Sequence, residues 1–390
     1  MVKNIVLIGS TGALGTQVLE VIREFRDKFN IIGLGARRDS EKLALQVNEF
    51  CPKYVLLAEE NNMSLSLRSA IENNKSRFFY GIEGLKEIVS VDEVDLVVIV
   101  MGGALGIYPL WEAVRYNKNV AIANKESIVM MGEIIRELAD NKGISLIPID
   151  SEPSAIFQCL KGLNSKNNLD RVILTASGGP FRRLTREQLE MVTPEEAVTH
   201  PVWKMGKRIS VDSATLMNKG LEYIELHKFF DIPYEKIQIV VHPQGIIHGA
   251  ISLTDGTMIS IMSNPDMRIP ILYALSYPER LGNHWKKLNL IDLKELTFEP
   301  ADTDRFPALR IAMEAGKKGL SYPTVLNASD EVAVDLFLNK KIKFTDIPIL
   351  VEEVLSRHSP SKVDSLDVVM EIDNWARRET IKVFEKVIRR

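Results

Sequence analysis

Cysteine and long apolar runs are scarce in this chain. Its 390 residues include only two cysteines, Cys51 and Cys159, and neither stands in a CxxC or CxxH pattern. Such usage is typical of buried thiols in a reducing compartment. No stretch reaches the about 18 consecutive apolar residues of a membrane helix, and the first residues lack the pattern of a secretory signal. We therefore expect a cytoplasmic protein with no membrane partner.

An excess of charge of one sign is also missing. The formal net charge is −3, with 45% hydrophobic and 26% charged residues. This balance gives no electrostatic reason to expect a nucleic acid or an anionic membrane as partner. The composition is that of a globular protein, and the length predicts two or three domains.

Residues 3–150 alternate short β-rich runs with helical stretches. The runs are almost continuously apolar, which is typical of parallel strands covered on both faces. The alternation predicts a Rossmann-like, doubly wound α/β domain with a parallel sheet over residues 1–150. The predicted strands are Ile5–Ile8, Ile31–Gly35, Tyr54–Leu57, Leu96–Val100, Val120–Ala123 and Ile144–Ile149.

The pattern changes after Asp150. An antiparallel hairpin with a two-residue turn at Asp255-Gly256 helps to define a catalytic and connective α+β domain over 151–290. A linker at 291–310 and a C-terminal α-helical bundle at 311–390 follow, because only amphipathic helical patterns remain. The strands predicted for the α+β domain are Arg171–Ala176, Ile237–Val241, Ile246–Leu253 and Met258–Met262.

A glycine-rich loop follows the first strand and opens a helix predicted over Thr16–Phe25. Glycine permits a sharp turn, and it lets a pyrophosphate approach the backbone N–H groups at the helix N-terminus. The GxxGxxG spacing in this context favours a dinucleotide site, and a glycine-rich turn without a ligand is the alternative. The residues predicted to contact the nucleotide are Gly9, Ser10, Thr11, Gly12, Ala13 and Leu14.

The end of the second predicted strand bears on the choice of nucleotide. An NAD-binding protein carries an acid there for the ribose 2′-hydroxyl, whereas this chain has Arg37 and Arg38 followed by Asp39. Two guanidinium groups suit a 2′-phosphate and favour NADPH over NADH. Asp39, as a displaced acid, would relax that preference. A solvated surface pair is the alternative for the arginines.

Charged side chains follow two later strands of this domain. Asp150 and Glu152 come after the last strand, and carboxylates without a nearby His or Cys favour Mg²⁺ or Mn²⁺. A helix N-cap at Asp150 or Ser151 is the alternative. Lys125 lies just past an earlier strand, where it can face both a nicotinamide and a substrate, although a surface lysine fits as well.

The segment 212–222 reads as a helix start dense with polar groups. Asn218 and Glu222 would share a helix face, and Gly220 inside the helix indicates that something packs close to it. The polar groups suit a phosphate and the acid suits a metal, while a solvated helix face is the alternative. The predicted phosphate donors are Ser213, Asn218 and Lys219.

Two loops add to this set. Thr193–Gly206 has two prolines, no clear period, and both Trp203 and Met205, which favours a lid over a passive connector. The segment 177–180, Ser-Gly-Gly-Pro, follows a strand and offers a nest of backbone N–H groups. A histidine near a strand, such as His248, is more often a hydrogen-bonded core residue than a ligand.

Taken together, several stretches resemble the 1-deoxy-D-xylulose 5-phosphate reductoisomerase family. They run from the first strand into the predicted bundle, so the resemblance covers essentially the whole chain, and the stretch at 200–225 is highly specific. The stretches are GSTGALGTQVLEVI (9–22), NKES (124–127), DSEPSAIFQ (150–158), ASGGPFR (176–182), HPVWKMGKRISVDSATLMNKGLEYIE (200–225), VHPQGIIHG (241–249), PDMRIPILYAL (265–275) and PTVLNASDEVAV (323–334).

The resemblance implies a homodimeric enzyme that uses NADPH and Mg²⁺ or Mn²⁺. Such an enzyme converts 1-deoxy-D-xylulose 5-phosphate to 2-C-methyl-D-erythritol 4-phosphate in isoprenoid precursor biosynthesis. The implied metal ligands are Asp150, Glu152 and Glu222, which with Lys125 form the catalytic set. The implied substrate contacts are Lys125, Ser151, Glu152, Ser177, His200, Trp203, Ser213, Asn218, Lys219, Glu222 and His248, with Met205 in the lid. The implied further cofactor contacts are Arg37, Arg38, Asp39, Asn124, Lys125, Glu126 and Gly206.

The chain departs from the family pattern at two places. Pro153 stands where members typically carry His, directly after the metal-binding glutamate, but the change removes no metal ligand. Asp39 stands where the nucleotide loop usually has Asn.

Two other classes of protein compete with this interpretation. An NADP-dependent dehydrogenase of the semialdehyde or homoserine type also uses a variant glycine loop. A phosphorylating semialdehyde dehydrogenase would need a nucleophilic cysteine, and Cys159 is poorly placed inside a helical pattern. A nucleotide-sensing regulator would need neither three converging carboxylates nor a lid that carries Trp203.

Overall fold

The computed structural model describes residues 2–163, 165–203 and 205–388, and their packing divides the chain into two compact units. The first unit comprises the residues up to 127 together with 134–154 and 266–284. The second comprises 128–133, 155–265 and the residues from 285 onward. The four-part division from the sequence is finer and stays a prediction. It differs most at 266–284, because this segment packs with the first unit.

Seven parallel strands form the sheet of the first unit: β1 Lys3–Ile8, β2 Phe29–Ala36, β3 Tyr54–Leu57, β4 Arg77–Tyr80, β5 Leu96–Ile99, β6 Asn119–Ile122 and β7 Leu146–Pro148. Their order is β4-β3-β2-β1-β5-β6-β7. All four residues of β5 are buried, as expected of a strand covered on both faces. The order reverses between β1 and β5, and ligands of such sheets bind outside the carboxyl ends of the strands at that reversal. The predicted doubly wound α/β fold is confirmed.

Helices alternate with these strands and dominate the last part of the chain. In chain order they are α1 Ala13–Glu24, α2 Ser40–Phe50, α3 Leu65–Asn74, α4 Gly81–Ser90, α5 Ile107–Arg115, α6 Lys125–Lys142, α7 Ser151–Lys161, α8 Arg186–Leu189, α9 Pro194–Ala197, α10 Lys207–Thr215, α11 Met217–Phe230, α12 Arg268–Ser276, α13 Leu290–Leu293, α14 Pro307–Lys318, α15 Tyr322–Leu338, α16 Asp346–Ser356 and α17 Leu366–Val383. Helices α14–α17 form the predicted bundle, with apolar faces that meet in a core containing Val325, Phe337 and Val351. Within the described residues, no helix combines the length and the apolar character needed to cross a membrane.

A second sheet lies in the second unit and contains five strands: β8 Leu169–Ala176, β9 Ile237–Val241, β10 Ile247–Leu253, β11 Met258–Met262 and β12 Glu299–Pro300. Their order is β11-β10-β8-β9-β12, with β8 and β9 parallel and the other pairs antiparallel. The predicted α+β character of this region is therefore confirmed.

The structure corrects three details of the prediction. Four residues, 254–257, separate β10 from β11, and because Leu253 N–H donates to the Thr257 oxygen at 2.8 Å, the hairpin closes over a three-residue turn in which Gly256 has φ +88°. Strand β4 was missed because its Arg-Phe-Phe-Tyr sequence is short and lies at a half-exposed edge of the sheet. Cys51 is exposed at the C-terminus of α2, whereas Cys159 is buried as expected.

Candidate active site

The glycine loop between β1 and α1 needs glycine at two positions. Gly9 has φ +96°, and a Cβ there would lie 2.7 Å from the backbone nitrogen of Met101. A Cβ on Gly15 would lie 2.1 Å from the carbonyl oxygen of Gly9. Both distances are impossible for a real side chain, so any residue other than glycine would displace the loop. The turn and the close packing that the motif predicts are therefore both present.

The N-terminus of α1 suits an anion. Its N-cap residue is Gly12, which has no side chain to cap the helix, and the first turn carries no acidic residue. The backbone N–H groups of that turn and the helix dipole favour a negatively charged ligand such as a pyrophosphate. Lys42 of α2 adds a positive charge, because its Nζ lies 2.8 Å from the carbonyl oxygen of Thr11. Lys42 was not predicted from the sequence, although a basic residue in the next helix of such a unit was the available signal.

The arginines at the end of β2 face an acid from the neighbouring strand. Arg37 Nε lies 2.8 Å from Oε1 of Glu59, and Arg38 Nε lies 2.6 Å from Oε2 of the same carboxylate. Asp39 instead caps α2, accepting the backbone N–H of Lys42 at 3.0 Å. Asp39 is thus engaged as a helix cap. Glu59 was not predicted from the sequence, because it is 21 residues from Arg38 in the chain and becomes adjacent to it only at the edge of the folded sheet.

The Asn124–Ser127 segment fixes the loop that follows β5. Asn124 caps α6 by accepting the backbone N–H of Ser127 at 3.2 Å, and its amide donates to the carbonyl oxygens of Met101 and Gly103 at 3.0 Å each. Glu126 accepts the backbone N–H of Gly103 at 2.9 Å. Asn124 and Glu126, both predicted as cofactor contacts, therefore shape the backbone at the strand-order reversal.

Lys125 and Asp150 meet beyond the carboxyl ends of β6 and β7. Lys125 Nζ lies 2.8 Å from Oδ2 of Asp150, and the lysine is buried. The neighbouring Ser151 donates its hydroxyl to Glu152 at 2.5 Å at the start of α7. These residues lie at the start of a helix, as the N-cap alternative predicts. They also lie beyond the carboxyl ends of the strands, where ligands of such sheets bind, as the metal-site hypothesis predicts. Pro153 is accommodated because it lies in the first turn, where a backbone N–H has no partner within the helix.

Two of the predicted substrate residues, Ser177 and His200, are paired in the second unit. Nδ1 of His200 accepts the backbone N–H groups of Val202 and Trp203 at 3.1 and 2.9 Å. The ring proton of a neutral His200 must then reside on Nε2, which donates to the Ser177 hydroxyl at 3.0 Å. His200 therefore organises the loop that carries Trp203 and also links it to the end of β8.

The loop after β8 packs tightly on α10. Gly179 has φ +69°, and a Cβ there would lie 2.6 Å from the backbone oxygen of Ser213. Ser177 and Ser213 are therefore held on touching segments. His248 lies on β10. Its ring lies 6.1 Å from that of Trp203, and its Nε2 lies 2.8 Å from the hydroxyl of Ser263. The structure thus connects the predicted lid residue Trp203 to His248.

A buried acid–lysine cluster lies at the start of α11. The cluster consists of Asn218, Lys219 and Glu222. The Asn218 amide donates to Oε1 of Glu222 at 2.6 Å, and Lys219 Nζ forms an ion pair with Oε2. Lys219 is only 4% exposed and Glu222 only 1%, so this is not a solvated helix face. Glycine at position 220 lets α14 pack closely against this part of α11, because a Cβ there would lie 2.3 Å from Cβ of Ala312 in α14.

The helix start predicted over 212–222 contains the end of one helix and the beginning of another. Leu216 separates α10 from α11 and has φ +64°, a conformation that is costly for a residue with a Cβ. Ser213 consequently belongs to α10, while Asn218, Lys219 and Glu222 belong to α11. Such strain is typical of segments that the surrounding structure holds in place for function.

A buried charge cluster anchors α10 to α15. Arg208 of α10 pairs with Glu331 at 2.8 Å and lies 3.7 Å from Asp212 and 4.0 Å from Asp330. Asp330 is fully buried, and this burial, with the nearby charge of Asp212, raises its pKa well above the usual range. Burial and the charge of Asp212 therefore favour the protonated form of the Asp330 carboxyl.

The donor set matches the chemistry of a hard divalent cation, because Asp150, Glu152 and Glu222 are carboxylates. A lysine lies beside two of them: Lys125 contacts Asp150 in the first unit, and Lys219 contacts Glu222 in the second. Across the part of the chain that the structure describes, no group of three or more His, Cys, Asp or Glu side chains is close enough to hold a metal ion. The metal ligand set, and Gly206 as a cofactor contact, stay predictions.

These features define a nucleotide-binding α/β protein whose second, mixed α+β unit carries a buried cluster suited to a phosphorylated ligand. Comparison with known families is specific. Residues 5–132 match the family model of 1-deoxy-D-xylulose 5-phosphate reductoisomerase, 146–230 match its C-terminal domain, and 262–379 match the DXP reductoisomerase C-terminal domain. The chain belongs to the 1-deoxy-D-xylulose 5-phosphate reductoisomerase family.

Individual relatives agree with this assignment. The chain is 47% identical to the reductoisomerase of Clostridium perfringens over 96% of its own length and 98% of the relative's. It is 46% identical to that of Desulforamulus reducens over 98% and 99% of the two chains. The solved structure of the Zymomonas mobilis enzyme in complex with NADPH is 37% identical, with a TM-score of 0.92 over 99% of this chain and all of that one. A reductoisomerase in complex with NADPH, fosmidomycin and magnesium is 33% identical, with a TM-score of 0.91 over the same shares of the two chains.

Proposed function

We propose that this chain converts 1-deoxy-D-xylulose 5-phosphate to 2-C-methyl-D-erythritol 4-phosphate with NADPH and a divalent metal ion. The observation that carries the proposal is the buried acid–lysine cluster of α11. Charged side chains are rarely buried, and we expect those of this cluster to bind a ligand. The same chain carries a glycine loop with the geometry of a dinucleotide site. Both features occur in a chain that matches its relatives over nearly their whole length.

The first unit supplies the nucleotide contacts in this proposal. Relatives with the same fold are described in complex with NADPH. The glycine loop would hold the pyrophosphate, and Arg37 and Arg38 would face the 2′-phosphate. Asn124 and Glu126 would fix the backbone beside the nicotinamide. NADPH, when bound, supplies the hydride that reduces the rearranged aldehyde.

Asp150, Glu152 and Glu222 would hold the metal ion, which is Mg²⁺ or Mn²⁺. When bound, the metal supplies Lewis-acid polarisation of the substrate's carbonyl and hydroxyl oxygens and keeps them in one orientation. Lys125 and Ser151 would contact those oxygens. The contact between Lys125 and Asp150 keeps the lysine at the ligand edge of the sheet.

The phosphate of the substrate is assigned to the second unit. Ser177, Ser213, Asn218 and Lys219 would donate to it, with His248 close by. Lys219 is suited to this role because its positive charge is buried and gains strength in a low dielectric. Binding energy from the phosphate, which is remote from the reacting carbons, can drive closure of the loop that carries His200, Trp203 and Met205. Closure would exclude water from a reactive enediolate and aldehyde.

The family resemblance also supports a homodimer, and the composition supports a cytoplasmic location. The competing semialdehyde dehydrogenase loses support, because burial raises the pKa of Cys159 to about 11. A thiol with that pKa is a poor nucleophile near neutrality.

The experiment that tests the proposal follows the oxidation of NADPH by its absorbance, with 1-deoxy-D-xylulose 5-phosphate as substrate, with and without EDTA. We expect turnover that EDTA abolishes and that added Mg²⁺ or Mn²⁺ restores. The absence of metal-dependent turnover would contradict the proposal. Identification of 2-C-methyl-D-erythritol 4-phosphate as product separates reductoisomerisation from simple reduction of the ketone.

A further inference from the structure

The carboxyl ends of β2 and β3 bring three charged residues to one edge of the sheet. The backbone ladder continues past the last strand residues, because Ala58 N–H donates to the oxygen of Ala36 and Glu59 N–H to that of Arg37, both at 2.9 Å. Glu59 is thereby fixed opposite Arg37 by the backbone itself. Its position does not depend on a flexible side chain alone.

A single carboxylate holds both arginines at this edge. Glu59 contacts Arg37 and Arg38 through the Nε atom of each, at 2.8 and 2.6 Å, and Asn62 Nδ2 lies 3.4 Å from its Oε2. The arginine side chains are half exposed or more, and that of Glu59 is 33% exposed. Hydrogen bonds from Arg38 and then Arg37 keep the pKa of Glu59 below its usual range, so the group is ionised at neutral pH. The ionised carboxylate of Glu59 is therefore an anion already bound to both arginines.

We propose that Glu59 is a specificity-determining residue that weakens the preference for NADPH over NADH. The inference rests on the proposed use of NADPH. With Glu59 the arginine pair carries one net positive charge, and without it two. A 2′-phosphate carries about −1.5 to −2 charges at neutral pH, so it must share the arginines with Glu59 or displace it. The 2′-hydroxyl of NADH meets no such repulsion, and a carboxylate is the group that commonly accepts a hydrogen bond from it.

The structure favours Glu59 over Asp39 for this role. Asp39 uses its carboxylate to cap α2, where it serves the backbone N–H of Lys42. Glu59, in contrast, contacts the two guanidinium groups themselves. Charge at the end of the neighbouring strand, rather than the acid next to the arginines in sequence, therefore opposes the 2′-phosphate.

The test compares the full-length protein with its Glu59→Gln variant, which keeps the shape of the side chain and removes the charge. Dissociation constants for NADPH and NADH are measured by calorimetry at low and high ionic strength. We expect the variant to bind NADPH about fivefold more tightly at low ionic strength, with a smaller gain in high salt. NADH should bind equally or less tightly. Thermal unfolding of both proteins checks that the fold is unchanged.

Glu93→Gln is the matched control. Glu93 pairs with Lys53 at 2.9 Å just before β5, at the amino edge of the same sheet. This substitution should alter neither affinity. An unchanged NADPH-to-NADH ratio in Glu59→Gln, or weaker NADPH binding, would overturn the inference. Weaker binding would show that Glu59 holds the arginines in place for the phosphate.

The proposed function and this inference fail in different ways. If the wild-type protein shows no metal-dependent turnover with NADPH, the proposed function fails. If the wild-type protein binds both nucleotides alike, the inference still predicts that Glu59→Gln creates a preference for NADPH. If the wild type prefers NADPH and the variant keeps the same ratio, only the inference fails.

Discussion

In the proposed function, the nucleotide edge of the first unit and the acid–lysine cluster of the second bind anions through different chemical groups. The nucleotide edge, formed by residues 9–15, 37–39 and 59, uses backbone N–H groups, glycines and exposed arginines. The acid–lysine cluster uses buried side chains whose charges are paired with one another. A surface pair contributes little and is screened by salt, whereas a buried pair is costly to break. Substitutions should therefore have graded effects at the nucleotide edge and severe effects at the cluster.

The strongest way to break the cluster is Glu222→Gln. The substitution removes the buried charge that pairs with Lys219, and in the proposed function it also removes a metal ligand. We expect kcat to fall by roughly a thousandfold or more, while the affinity for NADPH stays within about twofold. Steady-state kinetics and nucleotide binding measured on the same preparation check this. Loss of nucleotide binding would contradict the assigned role.

At the nucleotide edge, we expect substitution of Gly15 to be the most disruptive change. Alanine there would place a Cβ 2.1 Å from the oxygen of Gly9, so the loop must shift away from the helix. We expect NADPH binding to weaken by roughly a hundredfold, since both the turn and the helix N-terminus are displaced. Gly282→Ala, in the same unit, is the control, because nothing lies within 4 Å of the added Cβ. Equal affinities in the two variants would show that the loop does not hold the nucleotide.

Ser213→Ala sharpens the comparison, because it removes one donor from the proposed phosphate contacts without removing a charge. We expect KM for the substrate to rise by roughly tenfold or more, with a smaller change in kcat, because a hydrogen bond to a charged group is worth about 1.5–3 kcal/mol. Ser210→Ala is the control on the same helix, since its hydroxyl is bonded to the oxygen of Gly206 at 3.0 Å. An unchanged KM in Ser213→Ala argues against a phosphate contact.

The smallest expected effect is on stability, through the buried charge cluster that anchors α10 to α15. Asp330 has a pKa raised by burial and by Asp212, so its contribution to stability is full below its unfolded-state pKa near 3.8 and is lost as the pH rises through the raised value. Asp330→Asn keeps a donor for Asp212 and cannot ionise. We expect it to stabilise the fold by about 1 kcal/mol at neutral or alkaline pH, with the difference shrinking toward pH 4.

Denaturant unfolding of wild type and Asp330→Asn across this pH range provides the measurement. A variant that is less stable than wild type at every pH would show that the carboxyl of Asp330 makes an interaction that an amide cannot replace. Activity serves as a second readout, because α10 also carries Ser213. The substitution should leave KM for the substrate nearly unchanged if α10 keeps its position.

The sequence was most informative where structure depends on local pattern. The bounds of β3, β9 and β11 were predicted to the residue, because short apolar runs between turn residues define them. The glycine loop was predicted with its reason, since glycine spacing is a local property of the backbone. The helix break at Leu216 carries no local signal, because leucine rarely adopts a positive φ.

Contacts between residues that are distant in the chain could not be predicted from the sequence either. The link between Ser177 and His200, the Glu59–arginine contact and the Asp212–Asp330 pair depend on which strands and helices become neighbours. Family resemblance supplied Ser177 and His200 as site residues, but it could not supply Glu59, which no motif includes. Gly220 is an intermediate case, since its cost in a helix predicted a close neighbour but not that the neighbour would be Ala312.

The contact between Gly220 and Ala312 has a practical consequence for anyone who shortens or redesigns this chain. All the residues predicted to touch substrate, metal or nucleotide precede residue 250, which makes the C-terminal helices an inviting target for deletion. Yet α14 lies against the very turn of α11 that presents Lys219 and Glu222, with no room for one additional methyl group. A shortened chain would lose that backing, and position 312 should accept only alanine or glycine in a mutational library selected for activity.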